Sequence, residues 1–376
     1  MTAETLDQPE QLLPPRPGRW CAATRVLVGL AAAWLLFTVA YVLFTGELWV
    51  WLLPGLVPPV AFLVCPALAA IALAVPRLLR RRVPKTAFRL VLVLAVAALV
   101  AGAGRSGVNV AAIGGNEGAA PAGAPVVVAW NTEYWDQTDD PDRFYAYLHA
   151  HTADVYVLQE YVDLVGTDGA RDADDLARLR AEFPGYHLVA RGELLTLSRY
   201  PVLAQPRVGP DRGLRDGAPY DEVFESAKVL RTDLQVGSSV LTVYNVHLPV
   251  QVDVTRNPLS RDFYSYVHTR DGLRKAQLAG LAEDVAANPN PLLVAGDFNT
   301  SPAMGDLDGL RGTLVDADRA SSSLYPRSWP ASAPLWRLDW TLTTPGVRVH
   351  DYRFADPAGL SDHDLQQARI SLAGGR

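Results

Sequence analysis

The chain has 376 residues, 49% of them apolar, with 34 basic and 40 acidic side chains and two cysteines. Residues 1–106 carry a net +6 and the remainder −12, which disfavours a sequence-independent nucleic-acid binder, because such binding rests on Lys and Arg neutralising phosphates. Both cysteines, Cys21 and Cys65, lie in the first part, so the second part forms no internal disulfide and has no thiol to oxidise.

From Val26 to Phe44 run 19 residues without a charge, enough to cross a hydrocarbon core of about 30 Å at about 1.5 Å per residue. A second uncharged stretch, Leu48 to Pro76, contains Pro54, Pro58, Pro59 and Pro66. It reads as a kinked span or as a shorter span preceded by an interfacial segment, and Trp49 and Trp51 at its start suit a membrane interface. The third stretch, Leu90 to Gly104, is 15 residues long and reaches 18 if Ala87 is included and Arg89 snorkels. About three transmembrane helices are expected. Between the second and third lie Arg77, Arg80, Arg81, Arg82, Lys85 and Arg89; a short loop this basic stays cytoplasmic, which places everything after about residue 105 outside the cell. The first apolar run is too long for a cleavable signal, and Cys21 precedes it, against a lipoprotein.

Residues 105–124 are rich in Gly and Ala and lack aromatics. About 20 flexible residues span roughly 25 Å. The expected organisation is a membrane anchor over 1–106, a flexible linker over 107–124 and a catalytic domain over 125–376. In that domain strands are predicted near 125–130, 154–159, 186–190, 194–198, 226–236, 239–247, 292–296, 337–343, 347–354 and 365–371, and helices near 141–150, 172–183 and 272–287. Many strands with few helices argue for two packed sheets with helices outside. Two segments read as irregular, 205–225 and 251–271. The second carries Arg256, Arg261, Tyr264, Tyr266, His268 and Arg270 and is expected to line the cleft and recognise a headgroup.

The chemistry is concentrated at the ends of apolar runs. PLLVAGDFNTSP (291–302) places Asp297 and Asn299 two residues apart, so strand periodicity turns both to one face. AWNTEYWD ends a run at Asn131, VYVLQE at Glu160, and VYNVHL carries Asn245 and His247; WRLDWTL centres on Asp339, and LSDHD supplies Asp362 and His363. Singly, each residue is equally a solvated strand end or a satisfied core side chain. Together they are how α/β enzymes assemble a site from distant sequence.

This set, in this order, closely resembles the endonuclease/exonuclease/phosphatase (DNase I-like) superfamily of metal-dependent phosphoesterases, over roughly residues 125 to 372. The resemblance implies a four-layer α/β sandwich, two packed β-sheets flanked by helices, and a Mg²⁺ or Mn²⁺ cofactor. It implies Glu160 as the metal carboxylate, Asn131 at the phosphate or the metal's water shell, and Asp362 at or beside a metal position. By the same resemblance His247 binds phosphate, Asp339 orients His363 against the scissile phosphate, Asp297 aligns or deprotonates the attacking water, and Asn299 holds phosphate or water. Glu133 falls on the same face as Asn131. Asn245 is read as backbone support, Ser198, Arg199 and Pro201 as architectural, and Arg274 and Gln277 as packing and surface.

Three spans followed by this domain also resemble the actinobacterial VanJ-type teicoplanin-resistance proteins. That layout implies a multi-pass cell-membrane protein whose extracytoplasmic domain hydrolyses a membrane lipid phosphate, such as undecaprenyl pyrophosphate, in cell-wall metabolism or glycopeptide resistance. The expected partners are the bilayer and the lipid, not nucleic acid. The alternatives are a surface-anchored nuclease acting on extracellular DNA or RNA, and a non-catalytic scaffold, which the full set of occupied positions opposes.

Overall fold

The computed structural model describes residues 20–78, 83–114, 119–135, 140–165 and 169–373. Arg80, Arg81 and Arg82 of the basic cluster, and residues 115–118 of the linker, lie outside the described residues. The chain forms two compact units, Met1–Ala40 with Phe62–Gly102, and Tyr41–Ala61 with Ala103–Arg376.

The helices of the N-terminal region are α1 (Ala22–Phe44), α2 (Ala61–Leu78) and α3 (Lys85–Gly102). Each is long and apolar enough to cross a membrane. The proline-bearing stretch resolves into a shorter helix preceded by two 3₁₀ turns, Trp49–Leu52 and Pro54–Leu56, with α2 starting only at Ala61. Proline lacks an N–H and drives its predecessor out of the α region, so Pro54, Pro58 and Pro59 stop a continuous helix there.

The second unit continues through β1 (Val126–Asn131), α4 (Pro141–Ala150), β2 (Val155–Gln159), β3 (Val162–Val165), β4 (Gly169–Asp172), α5 (Leu176–Glu182), β5 (His187–Arg191), β6 (Leu194–Ser198) and β7 (Val202–Ala204). It then runs through α6 (Tyr220–Ser226), β8 (Val229–Val236), β9 (Ser239–His247), α7 (Arg261–Ala287), β10 (Leu292–Asp297), α8 (Asp308–Arg311), β11 (Val315–Asp316), β12 (Asp339–Thr343), β13 (Val347–Ala355) and β14 (Leu365–Leu372). Among the described residues these strands form two six-stranded sheets, ordered β13-β14-β1-β2-β6-β5 and β11-β12-β10-β9-β8-β7, and a β3–β4 hairpin.

Strand alternation builds the layers. On β1 the side chains of Val127 and Ala129 join Val155, Val157, Val243, Leu293 and Ala295 in a core between the sheets. Their neighbours Val128 and Trp130 point the other way, onto Phe144 and Leu148 of α4 and Leu179 of α5. On the second sheet Tyr244, Val246, Leu292 and Val294 face Leu281 and Val285 of α7. Helix, sheet, sheet and helix make the expected four-layer α/β sandwich. Asn245 and Gln159 are polar residues in the inter-sheet space: Asn245 Oδ1 accepts from Gln159 Nε2 at 2.7 Å, and its Nδ2 donates to the carbonyls of Leu158 and Leu195 at 2.8 and 3.0 Å.

Two expectations change. Residues 261–271, read as loop, are the first turns of a 27-residue α7 that Ser260 caps by accepting from Phe263 N–H at 3.2 Å. Its inward face is Phe263, Val267, Arg274, Gln277 and Leu281, and two buried polar residues in that stripe hide its amphipathic period. Arg274 is accordingly no surface residue: it donates to the carbonyls of Pro249 (2.8 Å) and Phe298 (3.3 Å), to Thr300 Oγ1 (2.6 Å) and to Asp306 (2.8 Å). It braces the turn that follows Asp297. The start of the linker is also held. Arg105 pairs with both oxygens of Asp308 at 2.9 and 2.5 Å, and Asn109 Nδ2 donates to the carbonyls of Asp318, Ser321 and Ser323 at 2.6 to 3.3 Å. A side chain that satisfies three carbonyls removes the freedom its Gly-rich setting suggests.

Candidate active site

Strand register assembles the site. On the second sheet Asp297 is paired with His247 of β9 on one side and with Asp339 of β12 on the other, so three side chains distant in sequence share one row. Gly296 beside them has φ +140°, and a Cβ there would lie 2.0 Å from the Val246 carbonyl oxygen; no larger residue permits β10 to approach β9 so closely. On the first sheet β1 and β2 run parallel with Asn131 opposite Gln159, which puts Glu160 immediately past the strand end. His363 comes from a loop tied to β1: Trp130 Nε1 donates to its carbonyl at 2.9 Å, while Ser361 Oγ donates to the Asn131 carbonyl at 2.7 Å and accepts from His363 N–H at 3.0 Å.

The two sheets meet at Asn131. Its Nδ2 donates to Glu160 Oε1 at 2.9 Å and to Asp297 Oδ2 at 3.1 Å, and its Oδ1 accepts from Glu133 N–H at 3.0 Å. It thus spaces the two carboxylates. Glu160 Oε2 accepts from Tyr134 N–H at 3.0 Å. Glu133, Tyr134 and Glu160 all have left-handed φ, 51°, 66° and 62°, a cluster of strained non-glycine backbone of the kind found where geometry serves a site. Asn299, also left-handed at φ 46°, donates its N–H to Asp297 Oδ1 at 2.7 Å and its Nδ2 to the Leu248 carbonyl at 2.9 Å.

Each imidazole has an acid behind it. Asp339 Oδ2 lies 2.8 Å from His363 Nδ1, leaving His363 Nε2 to face Asp297 Oδ2 at 3.6 Å. His247 Nδ1 is 3.1 Å from Glu193 Oε2, and its Nε2 is 3.7 Å from Asp297 Oδ2 and 3.8 Å from Glu160 Oε1. Those separations exceed a direct hydrogen bond. Two Nε2 atoms and two carboxylates therefore surround one small space.

Burial alone opposes charge on both rings, but facing carboxylates outweigh it. Glu193, Asp297 and Glu160 push His247 up to about 9, and Asp339 and Asp297 hold His363 well above the usual histidine range. Burial likewise opposes charge on Glu193, yet His247 and Lys228 bring it down to about 2. Glu160 goes the other way: its desolvation exceeds the help it receives from His247, so its carboxyl sits above the usual range. The facing carboxylates thus favour the charged form of both imidazoles, the form suited to an oxyanion.

Glu193, which the sequence reading missed, is buried and ion-paired with buried Lys228 as well as His247. It stands at the head of the run LLTLS, not at its end, so a search confined to strand ends passes it by. Trp329, also missed, donates Nε1 to Asp362 Oδ2 at 2.7 Å. Asp362 Oδ1 is 3.8 Å from His363 Nε2. Arg256, Arg261, Tyr264, Tyr266, His268 and Arg270 do not line the cleft; Arg256, for instance, is spent on Asp253 and Asp262.

The ligand atoms of Asp297, Asp339 and His363 lie within 4.8 Å of one another, but Asp339 is committed to His363. An incompletely compensated Glu160, with Asp297 close by and Glu133 and Asp362 also lining the cleft, offers the oxygen donors that a hard divalent cation takes. The residues present therefore fit one.

The cleft has a volume of about 600 Å³. Its lining brings Asn131, Glu160, His247, Asp297, Asn299 and His363 together with the apolar side chains of Leu56, Val250, Val254, Met304, Trp336 and Leu338. No Lys or Arg lines it among the described residues.

Carboxylates set against two acid-backed imidazoles at the joined ends of two packed sheets define an enzyme that hydrolyses phosphoric esters. The chain belongs to the Endonuclease/Exonuclease/phosphatase family, which it matches over residues 128–363; enzymes of this family typically depend on a divalent metal. Similar solved structures include a family member from Bacteroides vulgatus (15% identity, covering 66% of this chain and 99% of that one, TM-score 0.47). Others are a 3′ phosphatase from Neisseria bound to a product DNA hairpin (14%, 66% and 100%, 0.49) and a mannosyl-6-phosphatase from Bacteroides thetaiotaomicron (12%, 66% and 100%, 0.44). No curated protein sequence matches the chain.

Proposed function

We propose that the protein is a membrane-anchored, extracytoplasmic, divalent-metal-dependent phosphoesterase that hydrolyses a lipid phosphate such as undecaprenyl pyrophosphate. The observation that carries this reading is the make-up of the cleft: the candidate phosphoester residues beside apolar side chains, with no Lys or Arg in the lining among the described residues. A nucleic-acid groove needs cations along the phosphate track; an amphiphile needs apolar surface beside the headgroup site.

In this reading His247 and His363 donate from Nε2 to phosphoryl oxygens as negative charge redistributes, each held in orientation by its acid, Glu193 and Asp339. Asp297, fixed by Asn131 and Asn299, orients the attacking water and takes its proton. Glu160, with Asp362 beside it, would hold a Mg²⁺ or Mn²⁺ ion, which would supply charge neutralisation at the phosphoryl group. A role in cell-wall metabolism or glycopeptide resistance follows from the resemblance in layout to the VanJ-type proteins.

Purified full-length protein with Mg²⁺, offered undecaprenyl pyrophosphate, sphingomyelin and DNA side by side, is expected to release phosphate from the first and to stop in EDTA. Rapid, salt-sensitive DNA degradation without lipid-phosphate release would assign a nuclease instead. The outward location rests on the basic loop between α2 and α3. In a chain lacking Cys21 and Cys65, a cysteine placed at exposed Ser322 is expected to react with an impermeant thiol reagent on intact cells, and one at Thr86 only after permeabilisation. The reverse labelling moves the site into the cytoplasm and removes the cell-wall lipid as substrate.

A further inference from the structure

One wall of the cleft comes from an unexpected part of the chain, the segment joining α1 to α2. That segment is docked closely. Thr45 Oγ1 accepts from Gly305 N–H at 3.0 Å, and Lys275 Nζ donates to the Glu47 carbonyl at 2.8 Å. A Cβ on Gly46 would lie 2.7 Å from the Gly305 carbonyl carbon, and one on Gly305 2.3 Å from the Thr45 carbonyl oxygen, so the two backbones touch where neither residue has a side chain. Leu52 is buried against Val252, Phe263, Val267 and Met304. The docking carries Gly55 and Leu56 into the cleft, beside Val250, Val254 and Met304.

Packing accounts for Leu52 but not for its neighbours. Leu56 keeps 42% and Val254 90% of its surface exposed, although both face the cavity that holds the phosphoester residues. Large apolar side chains left in water around a binding cavity mark surface that a ligand covers. The segment is also covalently continuous at both ends with helices apolar enough to span a membrane.

We propose that Leu56 of the inter-helix segment, with Val250, Val254 and Met304, forms the wall against which the hydrocarbon chain of the substrate lies, so that the connection between two membrane helices sets the chain specificity of the active site. This rests on the lipid-phosphate reading and adds the part of the lipid that is recognised and the residues that recognise it. The occupant is a hydrocarbon chain because the wall and the headgroup residues line one cavity, and because among the described residues no cationic side chain interrupts the wall for a nucleic acid to use.

The test compares two substrates with the same headgroup, a C55 polyprenyl pyrophosphate in detergent and a water-soluble C5 isoprenyl pyrophosphate, using the full-length protein. The Leu56→Ser/Val254→Ser double variant is expected to lower the ratio of kcat/KM for the long chain to that for the short one by about 10-fold, mainly through KM, as the loss of two apolar contacts predicts. Leu324→Ser, at a side chain 54% exposed and outside the cleft lining, serves as control and leaves the ratio unchanged. An unchanged ratio in the double variant, or a wild-type enzyme that does not distinguish the two lengths, overturns the wall while leaving the phosphoesterase reading intact. Phosphate release from neither substrate overturns the lipid-phosphate reading itself, and the wall with it.

Discussion

Asp297→Asn is expected to lower turnover by about 10²-fold or more, with His363→Ala giving a loss of similar size. Asp297 is the common point of the site. Its Oδ2 accepts from Asn131 Nδ2 at 3.1 Å and stands 3.6 and 3.7 Å from the Nε2 atoms of His363 and His247, while its Oδ1 accepts from Asn299 N–H at 2.7 Å. An asparagine of the same shape keeps the packing but removes both the charge facing the two imidazoles and the base proposed above. The measurement is phosphate release with Mg²⁺ alongside a thermal melt. A folded variant with near-normal turnover would remove Asp297 from the chemistry. Glu160→Gln is expected to act differently, raising the Mg²⁺ concentration needed for activity more than it lowers saturated turnover. Full activity of both variants in EDTA would sink the metal-dependent assignment.

The second large effect concerns truncation. A fragment of residues 116–376 is expected to be severely destabilised, although it contains every strand of the two large sheets. Removing Tyr41–Ala61 uncovers Val252, Phe263, Val267 and Met304, which Leu52 covers, at a cost of roughly 2–3 kcal/mol for that side chain alone. Losing Asn109 leaves the carbonyls of Asp318, Ser321 and Ser323 without that partner, at about 1 kcal/mol for each of the two amide hydrogens, while the half-exposed Arg105–Asp308 pair adds at most about 1 kcal/mol. Set against a typical total of about 5–15 kcal/mol, this makes the fragment marginal. It is expected to melt well below the full-length protein in detergent and to lose most hydrolysis of a soluble phosphoester. A fragment as stable and as active as the full chain would show that the inter-helix segment is a passive connection.

Much of the site is legible in the sequence because the strands end where the chemistry is. Asn131, Glu160, His247, Asp297, Asp339 and His363 each close or border an apolar run, and period-2 alternation then decides which face they take. Asp339 and His363 do pair at 2.8 Å. Glu193 was not legible, since a carboxylate after a glycine at the start of a run is the commonplace pattern of a surface turn. Only the fold shows it buried between Lys228 and His247. The basic and aromatic residues of 256–270 misled for the complementary reason. Their composition suits headgroup recognition, but helix geometry sends Phe263 and Val267 inward, pairs Arg256 with Asp262 and turns Arg270 to the Val250 carbonyl.

The sequence by itself determined the local matters: three apolar helices, the succession of strands, and the kinds of side chain at their ends, because hydropathy, periodicity and backbone propensity act over a few residues. Tertiary structure alone decided which ends meet. The row His247–Asp297–Asp339 depends on strand order and register, and the bridge from Asn131 to Glu160 and Asp297 depends on two sheets facing each other. The cleft wall at Gly55 and Leu56 depends on two glycines, Gly46 and Gly305, letting distant backbones touch. Such contacts are set by the packing of whole elements, and no window of neighbouring residues encodes them.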